Sequence, residues 1–300
     1  MTLLVVGSVA LDNIQTPTAR RDHVLGGAAV HFSFGAGFFG PVQMVGAVGD
    51  DWPEEHTQLF HKKGIDTTGL EIVPGGKTFR WTGKYLDNMD DRETLAVQLN
   101  VLEDFQPKLP QAYRRSQYVF IGNGAPATGL KTIEQLQGAD LIVADTMDLW
   151  INIARPDLDV LLTKIDGLVL NDSEAKMLTG ERNTVTAAKK ILTMGPKFVV
   201  VKKGEHGAMF VGQYEIYVVP AFPTENVVDP TGAGDSFAGG MMGYFASQGK
   251  MDAETIKTAL AYGTVTASFQ IEGFGADRLL EIKREDIDRR WEQLRTITAF

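Results

Sequence analysis

Short apolar runs recur along this 300-residue chain, and segments with the spacing of amphipathic helices lie between them. Apolar runs bounded by turn residues are typical of buried parallel strands. The predicted strands are Leu3–Val6, Val42–Val48, Tyr118–Ile121, Leu141–Ala144, Gly167–Leu170 and Phe198–Val201. The predicted helices are Ala28–Phe39, Pro53–Lys63, Leu130–Leu136, Thr186–Met194, Ser236–Ser247, Ala253–Phe269 and Arg284–Arg295. This alternation predicts an α/β fold with a doubly wound, mostly parallel sheet.

Two segments depart from that alternation. Ala208–Val211 and Glu215–Val219 lie too close together for a helix between them, so they predict an antiparallel hairpin at the sheet edge. A second hairpin is indicated by a period-two pattern on both sides of a polar turn. Its apolar positions are Phe79, Trp81, Tyr85, Leu95, Val97, Leu99 and Val101. This pattern predicts a small sheet outside the α/β core, and a hairpin that merely caps the core is the alternative.

The composition is that of an ordinary globular protein, with 44% hydrophobic and 22% charged residues. The formal net charge of −9 argues against a nucleic-acid-binding surface. The absence of cysteine excludes disulfides, thiol nucleophiles and cysteine-based metal sites. No apolar run has transmembrane length, and the N-terminus lacks the charged flank of a signal peptide. We therefore expect a cytoplasmic protein formed by one domain over residues 1–300.

The most specific chemical signal is the segment from Asp229 to Gly240. Gly232, Ala233 and Gly234 immediately precede Asp235, and a helical apolar pattern follows. A glycine-rich turn that opens a helix leaves backbone N–H groups free to bind an anion such as a phosphate. A carboxylate at that point can accept the proton of a hydroxyl that attacks the phosphate. The alternative is an ordinary helix N-cap preceded by a glycine turn.

This segment resembles the C-terminal signature of the ribokinase-like (PfkB) carbohydrate kinase family. The resemblance implies that Asp235 is the catalytic base and that the backbone of Gly232, Ala233 and Gly234 forms an anion hole. It also implies ATP and Mg²⁺ as cofactors, and a monovalent cation, K⁺, held with the help of Asp229 and Thr231. The small sheet, at about residues 12–25 and 77–102, would be the substrate lid through which two copies form a homodimer.

Two further motifs match the nucleotide side of that family. Asn171-Asp-Ser-Glu174 resembles its Asn-x-x-Glu motif, whose Glu organises Mg²⁺ through water; a helix-capping box is the alternative. Lys203-Gly204-x-x-Gly207 resembles its nucleotide loop, although a solvated lysine at a strand end would look the same. Asp145 and Asp148 follow a predicted strand at the same edge of the sheet, where a polar role near the phosphates is one of two interpretations.

The acceptor side is predicted from the first βα unit and from the lid. Asp12, assisted by Asn13, resembles the family's early Asp that holds sugar hydroxyls; a surface turn Asp is the alternative. Gly26 and Gly27 resemble the N-terminal Gly-Gly signature. His31 stands where the family carries Asn, which puts ribose itself in doubt as the acceptor; a packed, non-functional histidine is the alternative. From the lid, Phe79 and Trp81 are predicted to contact the acceptor.

The resemblance therefore predicts an ATP-dependent kinase that phosphorylates a primary hydroxyl of a small-molecule sugar. Because the lid is aromatic, a nucleoside acceptor is the alternative. A non-catalytic sugar- or nucleotide-binding regulator is a third interpretation. A dehydrogenase would need a dinucleotide fingerprint, and residues 35–40 do match Gly-x-Gly-x-x-Gly. That motif ends a predicted helix instead of following a strand, so we set the dehydrogenase aside.

Overall fold

A nine-stranded sheet forms the centre of the computed structural model, which describes residues 1–299. The strands of the protein are β1 (Leu3–Val6), β2 (Ala10–Gln15), β3 (Arg20–Gly26), β4 (Val42–Gly49), β5 (Ile65–Val73), β6 (Arg80–Tyr85), β7 (Arg92–Gln98), β8 (Tyr118–Ile121), β9 (Leu141–Asp145), β10 (Gly167–Asn171), β11 (Phe198–Lys202), β12 (Ala208–Gly212) and β13 (Ile216–Val219). The strand order in the central sheet is β13-β12-β11-β10-β9-β8-β1-β4-β5, and neighbours from β11 through β5 are parallel. The doubly wound, mostly parallel sheet is confirmed, as is the antiparallel edge hairpin, β12 and β13.

Helices cover both faces of this sheet. They are α1 (Ala28–Gly37), α2 (Glu54–Lys62), α3 (Pro126–Gln135), α4 (Asp148–Ile153), α5 (Arg155–Leu162), α6 (Asp172–Thr179), α7 (Thr184–Leu192), α8 (Ala233–Gln248), α9 (Ala253–Gln270), α10 (Asp277–Glu281) and α11 (Arg284–Ile297). Helix α3 begins at Pro126, four residues before the predicted start, because proline suits the first helical turn. The predicted elements omit α4, α5, α6 and α10, as well as edge strand β5, in which polar residues interrupt the apolar pattern and only Ile65 is fully buried. Within residues 1–299, no helix has both the length and the apolar character needed to cross a bilayer.

Period-two side-chain alternation divides the interior into two cores. In β1, Leu3 and Val5 pack into the core shared with α1, α8 and α9, while Leu4 and Val6 pack into the core on the opposite face. Every residue of β1 is buried, as expected for a central parallel strand.

A second sheet of four strands, in the order β3-β2-β6-β7, lies outside this core and corresponds to the predicted lid. The predicted hairpin is present, because β6 and β7 pair antiparallel with Trp81 opposite Val97. One part of the apolar pattern is not buried: β7 is exposed along its whole length, and Leu95 and Val97 are 54% and 51% exposed. Strands β2 and β3 complete the sheet, since β2 pairs with both β3 and β6.

Helix α8 lies very close to α1 because glycines face the contact. A Cβ added to Gly239 would lie 2.2 Å from the Phe32 carbonyl oxygen, and one added to Gly35 would lie 2.8 Å from the Ser236 carbonyl oxygen. Both distances are shorter than a side chain tolerates against backbone. Gly35 therefore serves helix packing near the end of α1, which agrees with setting aside a dinucleotide site at residues 35–40.

Gly239→Ala tests this packing. We expect the free energy of unfolding to fall by about 2 kcal/mol or more, because the new methyl group meets backbone that cannot rotate away. Urea denaturation measures the change. The control is Gly40→Ala in the turn that follows α1, where an added Cβ meets nothing within 4 Å. Equal stability of the two variants would contradict the packing argument.

Candidate active site

The start of α8 supplies a cluster of free backbone donors. Gly232 is the N-cap residue with a left-handed φ of 74°, and a Cβ there would lie 2.2 Å from the His31 ring. Among residues 1–299 the N–H groups of Gly232, Gly234 and Asp235 donate no hydrogen bond, whereas the N–H of Ala233 donates to Pro230. Three unpaired N–H groups at the positive end of a 16-residue helix are suited to bind an anion, and this segment is the candidate anion-binding turn.

Asp235 stands in the first turn of α8, beside these donors. Burial raises the pKa of its carboxyl to about 7, and the negative charge of Asp145 adds to that effect. The positive charges of Lys202 and Arg92 lower it. A carboxyl group with this pKa is well matched to accept a proton near neutral pH.

Lys202 places its ammonium group at the glycine turn. A Cβ added to Gly234 would lie 2.8 Å from Lys202 Nζ, and Nζ donates to Asp145 Oδ2 at 2.9 Å. Burial works against the positive charge, but Asp145, Glu174 and Asp235 outweigh it and raise the pKa of Lys202. The result is a largely buried cation beside the anion-binding turn.

The sequence reasoning chose the neighbouring Lys203, whose side chain is exposed. Side chains alternate between the two faces of a strand, so Lys202 lies on the same face of β11 as Phe198 and Val200. These two residues pack with α8, and the alternation therefore identifies Lys202 as the lysine on that side. Gly204 is also exposed, and Gly207 has a φ of 86° at the start of β12. Asp148 is exposed at the start of α4.

Asn171 and Glu174 form the capping box that was the alternative interpretation. Asn171 Oδ1 accepts from the Glu174 N–H at 2.7 Å, and Glu174 Oε2 accepts from the Asn171 N–H at 2.7 Å. The capping role and a metal role are compatible, because no further hydrogen bond to the Glu174 carboxylate is found in residues 1–299. Burial raises the pKa of Glu174 to about 7, with Lys202 opposing.

The lid brings a second carboxyl group towards the site. Asp12 is buried, and its Oδ1 accepts from the Trp81 N–H at 3.2 Å. Burial raises the pKa of Asp12 to about 7, and the charges of Asp229 and Asp235 contribute. Gly26 lies directly against Asp12, since an added Cβ would meet Oδ2 at 2.1 Å.

The other lid residues mainly hold the lid together and close it onto the core. Asn13 donates to Thr82 Oγ1 at 3.2 Å and accepts from the His23 N–H at 3.1 Å. Trp81 Nε1 donates to Thr94, and the Phe79 carbonyl accepts from Leu11. Tyr85 is buried, and its hydroxyl lies 3.0 Å from Thr231 Oγ1, which joins the lid to the turn before α8.

His31 is buried beneath Gly232, and neither ring nitrogen makes a hydrogen bond within residues 1–299. Burial lowers the pKa of His31 to about 4, against a smaller opposite effect of the nearby Gln270 side chain. A neutral, packed histidine is the alternative that the sequence left open. Gly27, with a φ of 99°, is the N-cap residue of α1 and lies against the Ser8 carbonyl oxygen.

Oxygen atoms of both predicted K⁺ ligands, Asp229 and Thr231, already accept hydrogen bonds from N–H groups. Asp229 is completely buried, and its two carboxylate oxygens accept from the N–H groups of Thr231 and Gly275, each at 2.9 Å. The Thr231 carbonyl accepts from Gln270 Nε2 at 2.9 Å. In residues 1–299, no group of three or more His, Asp or Glu side chains could together hold a metal ion.

Comparison with known proteins gives consistent matches over nearly the whole chain. A family model described as pfkB family carbohydrate kinase matches residues 5–283. A cytidine kinase from Thermococcus kodakarensis is 29% identical over 266 residues, which cover 87% of this chain and 94% of the relative. Solved structures with the same fold include a Burkholderia thailandensis nucleoside kinase in complex with inosine, with a TM-score of 0.78, 19% identity and 97% of each chain covered. Another, from E. coli in complex with ATP and Mg²⁺, has a TM-score of 0.80 and 19% identity over 97% of this chain and 99% of its own.

The raised carboxyl pKa values predict that stability falls as pH rises. A carboxyl group whose pKa is about 7 when folded and 3.8 when unfolded stabilises the protein while protonated, and that contribution is lost as pH rises through about 7. The melting temperature should therefore fall between about pH 4 and pH 7. Asp235→Asn should reduce the slope and melt higher than wild type at the alkaline end, by roughly 2–4 °C per kcal/mol.

Calorimetry across this pH range measures the effect. Asp87→Asn, at an exposed position of the lid turn, is the matched control and should keep the wild-type slope. If plots of melting temperature against pH are parallel for wild type and Asp235→Asn, burial of this carboxyl group has no energetic cost.

Proposed function

The chain belongs to the pfkB family of carbohydrate kinases, and we propose that it transfers the γ-phosphate of ATP to a primary hydroxyl of a sugar or sugar derivative. One observation carries the proposal. Asp235, with a pKa raised to about 7, lies in the same helical turn as three unpaired backbone N–H groups. A base and an anion site at one point are what phosphoryl transfer to an alcohol requires.

In the proposed reaction, Asp235 takes the proton of the acceptor hydroxyl while the oxygen of that hydroxyl forms a bond to the γ-phosphorus. The bond from that phosphorus to the β,γ-bridging oxygen breaks, and ADP leaves with the electron pair. The N–H groups of Gly232 and Gly234, together with the Lys202 ammonium, stabilise the charge on the transferring group. These positive partners are already in place, so no reorganisation is needed during transfer.

Mg²⁺ would be held through water by Glu174, whose carboxylate keeps accepting capacity after the capping bond. Bound there, the ion would neutralise charge on the ATP phosphates. On the acceptor side, Asp12 would accept hydrogen bonds from sugar hydroxyls beneath the closed lid. The positive charge of Arg92, in lid strand β7, lowers the pKa of the Asp235 carboxyl. This interaction between the lid and the base supports a closed lid during transfer.

Among sugar derivatives, a nucleoside acceptor has specific support. The similarity to a cytidine kinase extends over 87% of this chain and 94% of the relative, so it includes the β6–β7 hairpin of the lid and the α8 turn. Trp81 and Phe79 of the lid are half-buried aromatic residues on which a base could stack, and the backbone N–H of Trp81 donates to Asp12. We therefore expect nucleosides to be better acceptors than free ribose.

A coupled assay of ADP release against ribose, fructose, cytidine, uridine, adenosine and inosine tests the proposal. We expect turnover with at least one acceptor and a fall of kcat of about 10³-fold or more in Asp235→Asn, because the base is lost. Lys202→Met should lower kcat by about 10²-fold, whereas Lys203→Met, at the exposed neighbour, should not.

Two outcomes would refute the mechanism. One is the absence of turnover with every acceptor, which would favour the non-catalytic regulator. The other is undiminished turnover in Asp235→Asn.

We also propose that two copies associate through the lid. Leu95 and Val97 lie exposed on edge strand β7, and an uncovered apolar edge strand favours pairing with another chain. Sedimentation equilibrium should give a dimer for the wild type and a monomer for the Leu95→Glu/Val97→Glu double variant. The control is Ile153→Glu, an exposed apolar position at the end of α4. A monomeric wild type, or a dimeric double variant, would exclude the lid as the interface.

A further inference from the structure

Gln270, the last residue of α9, makes an unusual set of contacts. Its side chain is 0% exposed, and its Nε2 donates to two backbone carbonyl oxygens, those of Thr231, at 2.9 Å, and Gly275. Its Oε1 lies 3.4 Å from Ser236 Oγ, which donates to it. Only a donor can lie between two carbonyl oxygens, so the orientation of this amide is determined by its partners.

The same two segments are joined a second time by Asp229. Its carboxylate accepts from the N–H groups of Thr231 and Gly275, so each of these residues presents an N–H to Asp229 and a C=O to Gln270. A monovalent cation in this place would need several converging oxygen atoms of its own. Here the two carbonyl oxygens converge on an amide nitrogen, and both carboxylate oxygens are used by N–H groups.

The position of this amide matters for the anion-binding turn. The Thr231 carbonyl belongs to the same planar peptide group as the Gly232 N–H, one of the three unpaired donors at the start of α8. The hydrogen bond from Gln270 therefore sets the direction in which that N–H points. Gly275 packs against the lid, because an added Cβ would lie 2.1 Å from Val24. Gln270 thus connects the turn before α8 with a segment that supports the lid.

We propose that the Gln270 amide takes the place that the resemblance assigned to K⁺, so that the anion hole is held by a neutral side chain and the protein needs no monovalent cation. This replaces the prediction that Asp229 and Thr231 hold K⁺. Gln270 is a positioning residue, since it acts through the Thr231–Gly232 peptide group. The activity part of the inference rests on the proposed kinase function, whereas the stability part does not.

The first experiment uses the wild-type protein in KCl, NaCl and choline chloride at equal ionic strength. We expect turnover within about twofold and the same melting temperature in all three salts, because a site without cation affinity gives no binding stabilisation. Activation by K⁺ over choline of about tenfold or more, or a melting temperature raised by K⁺ alone, would overturn the inference.

The second experiment uses Gln270→Glu, which keeps the side-chain length and puts carboxylate oxygens against the two carbonyls. In choline chloride we expect a lower melting temperature and a kcat reduced about tenfold or more, with the KM for ATP nearly unchanged. KCl should restore part of the melting temperature and part of kcat, because the new carboxylate, Asp229 and the two carbonyls form an oxygen-rich site. Gln248→Glu, exposed at the end of α8, is the matched control and should behave as wild type in every salt.

If Gln270→Glu does not fold, Gln270→Met removes the donor without adding charge, and it should show the loss of kcat without recovery in KCl. A Gln270→Glu or Gln270→Met variant that matches Gln248→Glu in kcat and melting temperature would refute the positioning role. If no acceptor is turned over, the kinase proposal fails, and the melting temperatures in the three salts still decide the question of cation binding.

Discussion

The close contact of α8 with α1 is the constraint on which the site depends. Gly239 and Gly35 allow the two backbones to approach, and this contact holds the first turn of α8 above the carboxyl ends of β9, β10 and β11. From there the turn reaches the side chains that end these strands, including Asp145 and Lys202. A helix displaced by one side-chain diameter would separate the free N–H groups from the lysine.

The charges in the site oppose stability and favour chemistry. Asp12, Glu174 and Asp235 are each taken out of water and lie near other carboxylates, so burial raises the pKa of each carboxyl to about 7. Lys202 compensates only part of that charge. The fold accepts this cost because two hydrophobic cores, one on each face of the central sheet, hold the strands and α8 in place independently of the site.

Local patterns predicted much of this arrangement, and they were weakest where a residue has two compatible roles. Asn171 and Glu174 do form a capping box, and the spacing of a capping box is also that of the family motif. The motif Lys203-Gly204-x-x-Gly207 points to Lys203, whereas the side-chain alternation of β11 places Lys202 on the face that packs with α8. His31 proved to be buried under Gly232, a position that depends on how α1 packs against the turn before α8.

The sequence by itself determined the doubly wound sheet, the lid hairpin and the glycine turn before Asp235, because each is encoded by periodicity or by residues adjacent in the chain. Only the tertiary structure decided which lysine meets the anion-binding turn and what occupies the space beside Asp229. Gln270 lies 39 residues from Thr231, and no local pattern marks a glutamine at the end of a helix as a partner of a distant carbonyl. That contact exists because the packing of α9 against α8 carries a buried amide to a place where only a donor can satisfy two carbonyl groups.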